Sequence, residues 1–243
     1  MFDRTQRYLF EDFIRDTQAA RTGEALFALL QRGVGQYGYD RLIFSIPNDP
    51  DLSAEYNRHG VFHVYPEDWQ KDYVDKNYGL IDPVMHAGAT HTAAFTWRAL
   101  EETTPLTGQQ IRFMRMAEEA GLNSGIGVPI RIHNGLAGVG LASTIAHDGG
   151  DIHLDLLSAL CTQTYLTFKR LYARPAATPR LSLKETEILT WVAAGKTDED
   201  IATILGISRN TVDTHMRHIF RKLDATNRVT AVVTGLTQGH ICP

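Results

Sequence analysis

Apolar residues recur at helical spacing in the last quarter of the chain, in three short segments that each follow a polar start signal. The start signals are Ser182 with Glu185, Thr197 with Asp200, and Ser208. The first two pairs predict capping boxes, in which side chain and backbone satisfy each other's unpaired groups. Glycines end the first two segments, and the third runs over 209–223. Two helices joined by a tight glycine turn predict a helix-turn-helix, and a fourth helix is predicted to begin at Asn227.

Helical and strand-like patterns alternate over the rest of the chain. Helices are predicted over 3–20, 24–37, 66–77, 107–121 and 152–172, and strands over Leu42–Ile46, Tyr56–Val64, Ile126–Ile132 and Leu136–Ser143. Asn134-Gly135 separates the last two strands and is a strong hairpin signal, because both residues tolerate a positive φ. The predicted fold class is α+β: an α/β/α sandwich with a mostly antiparallel sheet, then an all-α domain of four helices.

A segment rich in Pro and Ala marks the domain boundary. The run ARPAATP, residues 173–179, has neither helical nor strand periodicity. We therefore predict a larger domain over 1–173, a linker over 174–179 and a helix-turn-helix domain over 180–243.

Composition narrows the classes of protein to consider. With 43% hydrophobic and 21% charged residues, both domains are expected to be globular. The chain shows no leading signal segment and no apolar run approaching about 18 residues, so we expect a cytoplasmic protein without a membrane partner. Cys161 and Cys242 have neither metal-ligand nor disulfide spacing. Since no activated nucleophile is evident either, we predict no catalytic residues, no metal and no cofactor, and therefore no enzyme.

Charge favours a nucleic-acid partner for the smaller domain. From Arg180 onward the chain has 8 Lys and Arg against 7 Asp and Glu, whereas the preceding residues have 16 against 21. Within 208–228 the count is 5 basic against 2 acidic residues. The positive charge gathers on the third helix, where contacts to DNA phosphates require it.

The third helix is therefore the predicted DNA-contacting element. The predicted contact residues are Arg209, Asn210, Asp213, Thr214, Arg217, Arg221 and Lys222. Arg217 is suited to bind guanine with two hydrogen bonds, and the other basic residues are expected to contact phosphates. Two interpretations of Asp213 remain open: it accepts from cytosine, or it pairs with an arginine four residues away.

This region resembles a LuxR-type DNA-binding domain. The matching positions are Leu181, Glu185, Leu189, Gly195, Lys196, Thr197, Ile201, Ala202, Ile207, Ser208, Thr211, Val212, His215, Lys222 and Leu223. The resemblance implies a four-helix unit whose third helix enters the major groove. Asp213 departs from the family tendency towards a basic residue, so the operator sequences of relatives do not transfer directly.

Residues 64–97 combine aromatic side chains with a carboxylate. Trp69 and Tyr73 lie four residues apart and share a helix face, Asp82 precedes a proline, and Trp97 closes the segment. An indole N–H only donates, a phenol hydroxyl donates or accepts, and a carboxylate only accepts. A ligand with a ring carbonyl, an amide N–H and an amide carbonyl satisfies all three groups, as an acyl-homoserine lactone does. Taken alone, the aromatics are interpreted as core residues and Asp82 as a helix N-cap.

The same segment resembles the autoinducer-binding domain of LuxR-type regulators, through Tyr65, Pro66, Trp69, Tyr73, Asp82, Pro83, Trp97 and, further on, Gly125. The resemblance implies that Trp69 donates to the lactone carbonyl and that Asp82 accepts from the amide N–H. It implies that Tyr73 meets the amide carbonyl.

Three further positions follow from the same resemblance. Tyr65 and Trp97 are expected to pack against the ring and chain of the ligand, and Val84 to line the same site. Family members often place Thr or Ser on the last strand, where it binds the ligand, whereas this chain has Gly140. Extra space is expected there.

Together the two resemblances imply a transcriptional regulator that senses an acyl-homoserine lactone and binds a palindromic operator as a homodimer, with RNA polymerase as a further partner. The helix predicted over 152–172 either joins two sensor domains or is buried within one. The alternative is the same fold without a cognate synthase, sensing foreign lactones or another small molecule. A phosphorylated response regulator and a lactone-degrading enzyme are disfavoured, since the receiver pattern and the catalytic groups that they need are not seen.

Overall fold

The computed structural model describes residues 8–132, 135–145, 153–174 and 181–241. The chain divides after Ala173 into two compact units. The predicted turn residue Asn134, most of the predicted linker and Cys242 lie outside the described residues.

The first unit is built on one five-stranded antiparallel sheet. Its strands are β1 (Arg41–Asn48), β2 (Phe62–His63), β3 (Phe95–Thr96), β4 (Ser124–Ile132) and β5 (Gly135–Ser143). They lie in the order β2-β1-β5-β4-β3, and every neighbouring pair is antiparallel. The predicted antiparallel sheet is confirmed.

Helices cover both faces of this sheet. They are α1 (Phe10–Ala19), α2 (Gly23–Gly35), α3 (Glu67–Asp75), α4 (Pro83–Thr90), α5 (Trp97–Thr103), α6 (Gly108–Glu119) and α7 (Leu154–Tyr172). Helices α1, α2 and α7 pack on one face, and α3 to α6 on the other. The predicted α/β/α sandwich is therefore confirmed. No described helix is both long and apolar enough to cross a lipid bilayer.

The alternation of side chains along β1 separates two cores. Leu42, Phe44 and Ile46 point into the larger core with α1, α2 and α7. Ile43 points to the other face, where the side chains of α3 and α6 are aromatic. Because successive residues of a strand face opposite ways, one strand serves both cores. The candidate ligand site lies on the second face.

Helix α7 is packed mainly within its own unit. Leu160 and Tyr165 are buried in the larger core, and the Tyr165 hydroxyl donates to Asp49 at 2.6 Å. Leu166 is 54% exposed. Burial within one subunit accounts for five apolar residues, Leu157, Leu160, Cys161, Tyr165 and Phe168. A role of this helix in joining two sensor domains stays a prediction.

The strand predicted over 56–64 is wrong for most of its length, because only Phe62–His63 joins the sheet. The Asn57 side chain accepts from the Asp49 backbone N–H at 2.6 Å and donates to the Asp49 carbonyl at 3.1 Å. Gly60 then adopts a positive φ of 61°. These local side-chain bonds compete with strand pairing and hold the segment as a loop.

The apolar pattern did not predict two short helices. Helix α4 has 8 residues and α5 has 7, too few for a clear helical period. Their N-caps define them instead: Asp82 accepts from two backbone N–H groups of α4, and Thr96 accepts from Ala99 of α5.

The second unit has the four predicted helices. They are α8 (Leu183–Ala193), α9 (Asp198–Leu205), α10 (Arg209–Leu223) and α11 (Arg228–Thr237). Ser182 and Thr197 form the predicted capping boxes, and Ser208 and Asn227 cap the last two helices. Gly206 takes a φ of +63° between α9 and α10, which makes the tight turn of the helix-turn-helix.

Candidate functional site: a cavity on the sheet and a DNA-contacting helix

A cavity lies between the second face of the sheet and helices α3 to α6. The cavity and its mouth hold about 800 Å³ of space free of protein atoms. All six ligand residues predicted from the sequence line it: Tyr65, Trp69, Tyr73, Asp82, Val84 and Trp97. Residues that lie 32 positions apart along the chain thus line one cavity.

The Asp82 carboxylate has two tasks at the wall of this cavity. Its Oδ1 accepts from the backbone N–H groups of Val84 at 2.8 Å and Met85 at 3.2 Å, which caps α4. Its Oδ2 accepts from the Tyr73 hydroxyl at 2.8 Å. The structural interpretation of Asp82 as an N-cap is therefore correct, and it leaves the second oxygen at the cavity.

Burial governs the ionisation of this pair. It raises the pKa of the Asp82 carboxyl above its ordinary value, against the opposing effect of the hydrogen bonds from Tyr73 and from the α4 backbone. Burial is also the main cause that raises the pKa of the Tyr73 phenol, with the Asp82 charge adding to it. Tyr73 is therefore a neutral hydroxyl that donates.

The two tyrosines differ in whether their hydroxyl is already used. Tyr73 donates to Asp82, so in this arrangement its proton is not available to a ligand carbonyl. Among the described residues none is hydrogen-bonded to the Tyr65 hydroxyl. Burial raises the pKa of Tyr65 as well, so this group too is a neutral donor.

Both tryptophans line the cavity. The Trp69 ring packs on Phe113 with ring centres 5.4 Å apart. The Trp97 ring lies over Gly125, where any side chain would collide with it, so this glycine is required for the close approach. Trp97 Nε1 is buried and makes no hydrogen bond to any residue that the structure describes.

The extra space expected at Gly140 is not there. A side chain at this position would lie 2.9 Å from Ile43 Cγ2 and 3.0 Å from the Tyr65 hydroxyl, which occupy the room instead. At Gly138, one inward-facing position along β5, the atoms within 4 Å are backbone only, from Val128 and Pro129. A side chain at Gly138 would therefore lie 3.2 Å from the Val128 carbonyl oxygen, which is a tight contact.

Sequence reasoning missed several lining residues on other elements, among them Ser45, His59, Gln70, Phe113 and Gly138. Alternation along the predicted strand 42–46 was a usable signal for Ser45. His59 had no such signal, because it lies in a loop for which the apolar pattern predicted a strand.

The predicted DNA-contacting residues lie on α10, and most of the charged ones are already paired. Arg217 is bound to Asp213 at 2.6 Å with 72% of its side chain exposed. Arg209 pairs with Glu199 of α9 at 3.0 Å. Asn210, Thr214 and Arg221 are exposed. Of the two interpretations of Asp213, the ion pair with an arginine four residues away is present. An exposed ion pair of this kind contributes little stability, so DNA can displace it.

Lys222 differs from its neighbours on α10. Its Nζ donates at 2.7 Å to Glu185, whose carboxylate also closes the capping box of α8 and is 3% exposed. Lys222 lowers the pKa of that carboxyl, although burial opposes the effect. Lys222 thus has a partner inside the unit, and its contact with phosphate stays a prediction.

Comparison with known proteins gives the family. Residues 22–165 match the family described as "Autoinducer binding domain", and residues 179–234 match "Bacterial regulatory proteins, luxR family". The chain belongs to the LuxR family of bacterial regulatory proteins and is a ligand-binding transcriptional regulator of quorum sensing. The two resemblances found in the sequence are confirmed, in the order in which they occur.

Its relatives are regulators rather than enzymes. It is 34% identical over 181 residues to the quorum sensing-dependent regulator RpaR of Rhodopseudomonas palustris, covering 73% of each chain. It is 30% identical over 239 residues to the quorum-sensing regulator RhlR of Pseudomonas aeruginosa, covering 93% of each chain. The crystal structure of Escherichia coli SdiA has the same fold, with a TM-score of 0.65 at 24% identity over 97% of this chain and 100% of that one.

Proposed function

We propose that this protein senses an acyl-homoserine lactone and controls transcription as a homodimer on a palindromic operator. The observation that carries the proposal is the cavity wall itself. It presents the acceptor Asp82, the indole donors Trp69 and Trp97, and the unused hydroxyl of Tyr65 around one cavity. This set complements a lactone carbonyl, an amide N–H and an amide carbonyl.

Each polar group of the ligand has a candidate partner. Asp82 accepts from the amide N–H through Oδ2, and Trp69 donates to the lactone carbonyl. Tyr65 donates to the amide carbonyl, since the Tyr73 hydroxyl is engaged by Asp82. Tyr73, Trp97 and Val84 pack against the ring and the chain.

The proposed ligand also stabilises the sensor unit. A buried Trp97 N–H without a partner costs about 1–3 kcal/mol. A ligand that binds in the cavity stabilises the folded unit, and the gain grows with the logarithm of its concentration over its Kd. The sensor unit is therefore expected to be loosest without ligand.

DNA binding in this proposal depends on α10. Arg217 leaves Asp213 to bind a base edge, while Arg209 and Arg221 contact phosphates. A dimer places two such helices on two half-sites of a palindrome, about 34–36 Å apart on one side of the duplex. RNA polymerase is the expected further partner of the DNA-bound dimer.

Thermal melting of the full chain with N-octanoyl-homoserine lactone tests the ligand. The expected result is a rise in Tm that grows with lactone concentration. The control is the ring-opened N-octanoyl-homoserine, which has the same chain and amide but lacks the lactone carbonyl, and which should give a smaller shift. If a panel of lactones with acyl chains of different length leaves Tm unchanged, the ligand belongs to another chemical class.

A further inference from the structure

The loop between β1 and β2 contacts both the ligand cavity and the end of α7. We call this loop, residues 49–61, the strap. On one side of the strap His59 lines the cavity and stacks on the Tyr73 ring, with ring centres 4.3 Å apart and an angle of 9° between the planes. Tyr73 in turn donates to Asp82, the proposed acceptor for the ligand amide. A ligand that packs on Tyr73 and His59 therefore contacts the strap.

On its other side the strap is bound to α7 through a buried carboxylate. Asp49 is fully buried, and its Oδ2 accepts from the Tyr165 hydroxyl at 2.6 Å. Its Oδ1 accepts from Lys169 Nζ at 3.2 Å, and the same ammonium group pairs with Asp51 at 2.7 Å. Because a buried carboxylate is costly without partners, Asp49 holds the strap to these two residues of α7.

Aromatic packing adds a second contact between the strap and the same part of α7. The Tyr56 ring lies edge-on to Phe168 with ring centres 5.2 Å apart, and it is tilted against Tyr172 at 4.8 Å. The α7 residues that the strap contacts are spaced at i, i+3, i+4 and i+7 and therefore share one helix face: Tyr165, Phe168, Lys169 and Tyr172. The strap thus packs along one face of the last two turns of α7.

Hydrogen bonds join the two sides of the strap. The Asn57 side chain bonds both the backbone N–H and the carbonyl of Asp49, so it holds the end of the loop against its start. His59 follows Asn57 by two residues, and the next N–H, of Gly60, donates to Ser45 of β1 at 3.0 Å. Contiguous packed and hydrogen-bonded groups thus connect the cavity wall at His59 with the carboxylate that α7 binds.

We propose that the strap couples occupancy of the ligand cavity to the order of the last two turns of α7. A ligand that packs on His59 and Tyr73 adds contacts to the ordered strap and favours it over looser arrangements. The ordered strap in turn supplies the partners of one face of α7. The first unit ends directly after this helix, at Ala173, so the effect of the ligand reaches the point where the chain leaves the sensor. The inference rests on the proposed function and deepens it by naming a regulatory element.

Hydrogen exchange of the full chain, measured by mass spectrometry with and without saturating N-octanoyl-homoserine lactone, tests the coupling. In the wild-type protein the lactone should slow exchange about fivefold or more in the strap and at residues 165–172. Tyr165→Phe removes the hydroxyl that donates to Asp49, and Tyr56→Leu removes the ring that packs on α7; neither residue lines the cavity. Each variant should still bind the lactone, but the slowing at 165–172 should fall below about twofold. Because coupling is reciprocal, calorimetric titration should show lactone affinity reduced by a similar factor.

The control is Gln163→Met, a change of similar size on the same helix. Gln163 makes its hydrogen bonds to Thr17 of α1 and to Thr167 within α7, so this variant should keep the wild-type slowing at 165–172 and the wild-type affinity. If the lactone slows exchange in the wild-type strap but not at 165–172, or if both strap variants keep the wild-type slowing there, the coupling is refuted while lactone sensing stands. If the lactone slows exchange nowhere in the wild-type protein, the proposed function itself fails, and the coupling with it.

Discussion

Asp82→Asn separates the two tasks of the Asp82 carboxylate. One oxygen caps α4 and the other accepts from Tyr73 at the cavity. Asn is about as good an N-cap as Asp, so its amide oxygen takes the place of Oδ1. The amide nitrogen then replaces Oδ2 and presents donors where the ligand N–H needs an acceptor.

The size of the effect follows from the lost acceptor. Leaving the buried N–H of the ligand without an acceptor costs about 1–3 kcal/mol, which corresponds to roughly 5- to 150-fold in affinity. Because the cap is kept, the free energy of unfolding without ligand should change by less than about 1 kcal/mol. The substitution should therefore weaken binding far more than it weakens the fold.

Calorimetric titration with N-octanoyl-homoserine lactone measures the affinity, and thermal melting without ligand measures the fold. Asp82→Ala is the comparison: it loses the acceptor and also the cap, which adds about 1 kcal/mol of destabilisation. Binding by Asp82→Asn within twofold of wild type would refute the acceptor role of Asp82. An Asn variant as unstable as the Ala variant would refute the separation of the two tasks.

Three further substitutions address the rest of the molecule. Glu185→Ala removes the α8 capping box and the ion pair with Lys222, so the free energy of unfolding of the second unit should fall by about 1–3 kcal/mol, measured by chemical denaturation. Gly125→Ala drives a methyl group into Trp97, so the sensor unit should melt at a lower temperature and lose lactone binding. Asp213→Asn releases Arg217 from its ion pair, so fluorescence anisotropy should show tighter DNA binding.

Each of these substitutions has a matched control. Glu185→Gln keeps the capping hydrogen bond and loses only the charge, so it should destabilise less than Ala; equal loss would contradict the capping argument. Gly35→Ala meets no atom within 4 Å near the end of α2 and should be neutral or stabilising. Arg217→Ala in the Asp213→Asn background should cancel the gain in DNA affinity, and a gain that persists would come from the lost negative charge alone.

The helix-turn-helix could be predicted almost completely from the sequence, because short-range interactions define it. Ser182, Thr197, Ser208 and Asn227 each bond a backbone N–H three residues on, and Gly206 provides its own positive φ. Such signals act within one helical turn and can therefore be recognised directly from the sequence. The same holds for Trp69 and Tyr73, whose common face follows from helical spacing.

Only the tertiary structure decided the interior of the cavity. Ser45 and His59 meet because the Asn57 side chain folds residues 56–61 into a loop, against the apolar pattern that predicted a strand. Whether a glycine opens space depends on its neighbours across the sheet, and the room beside Gly140 is filled by Ile43 and Tyr65. The ion pair between Lys222 and Glu185, which lie 37 residues apart, likewise depends on how distant segments pack together. Local hydrogen bonds follow from the order of residues, whereas contacts between distant segments follow from packing, which no short window of sequence contains.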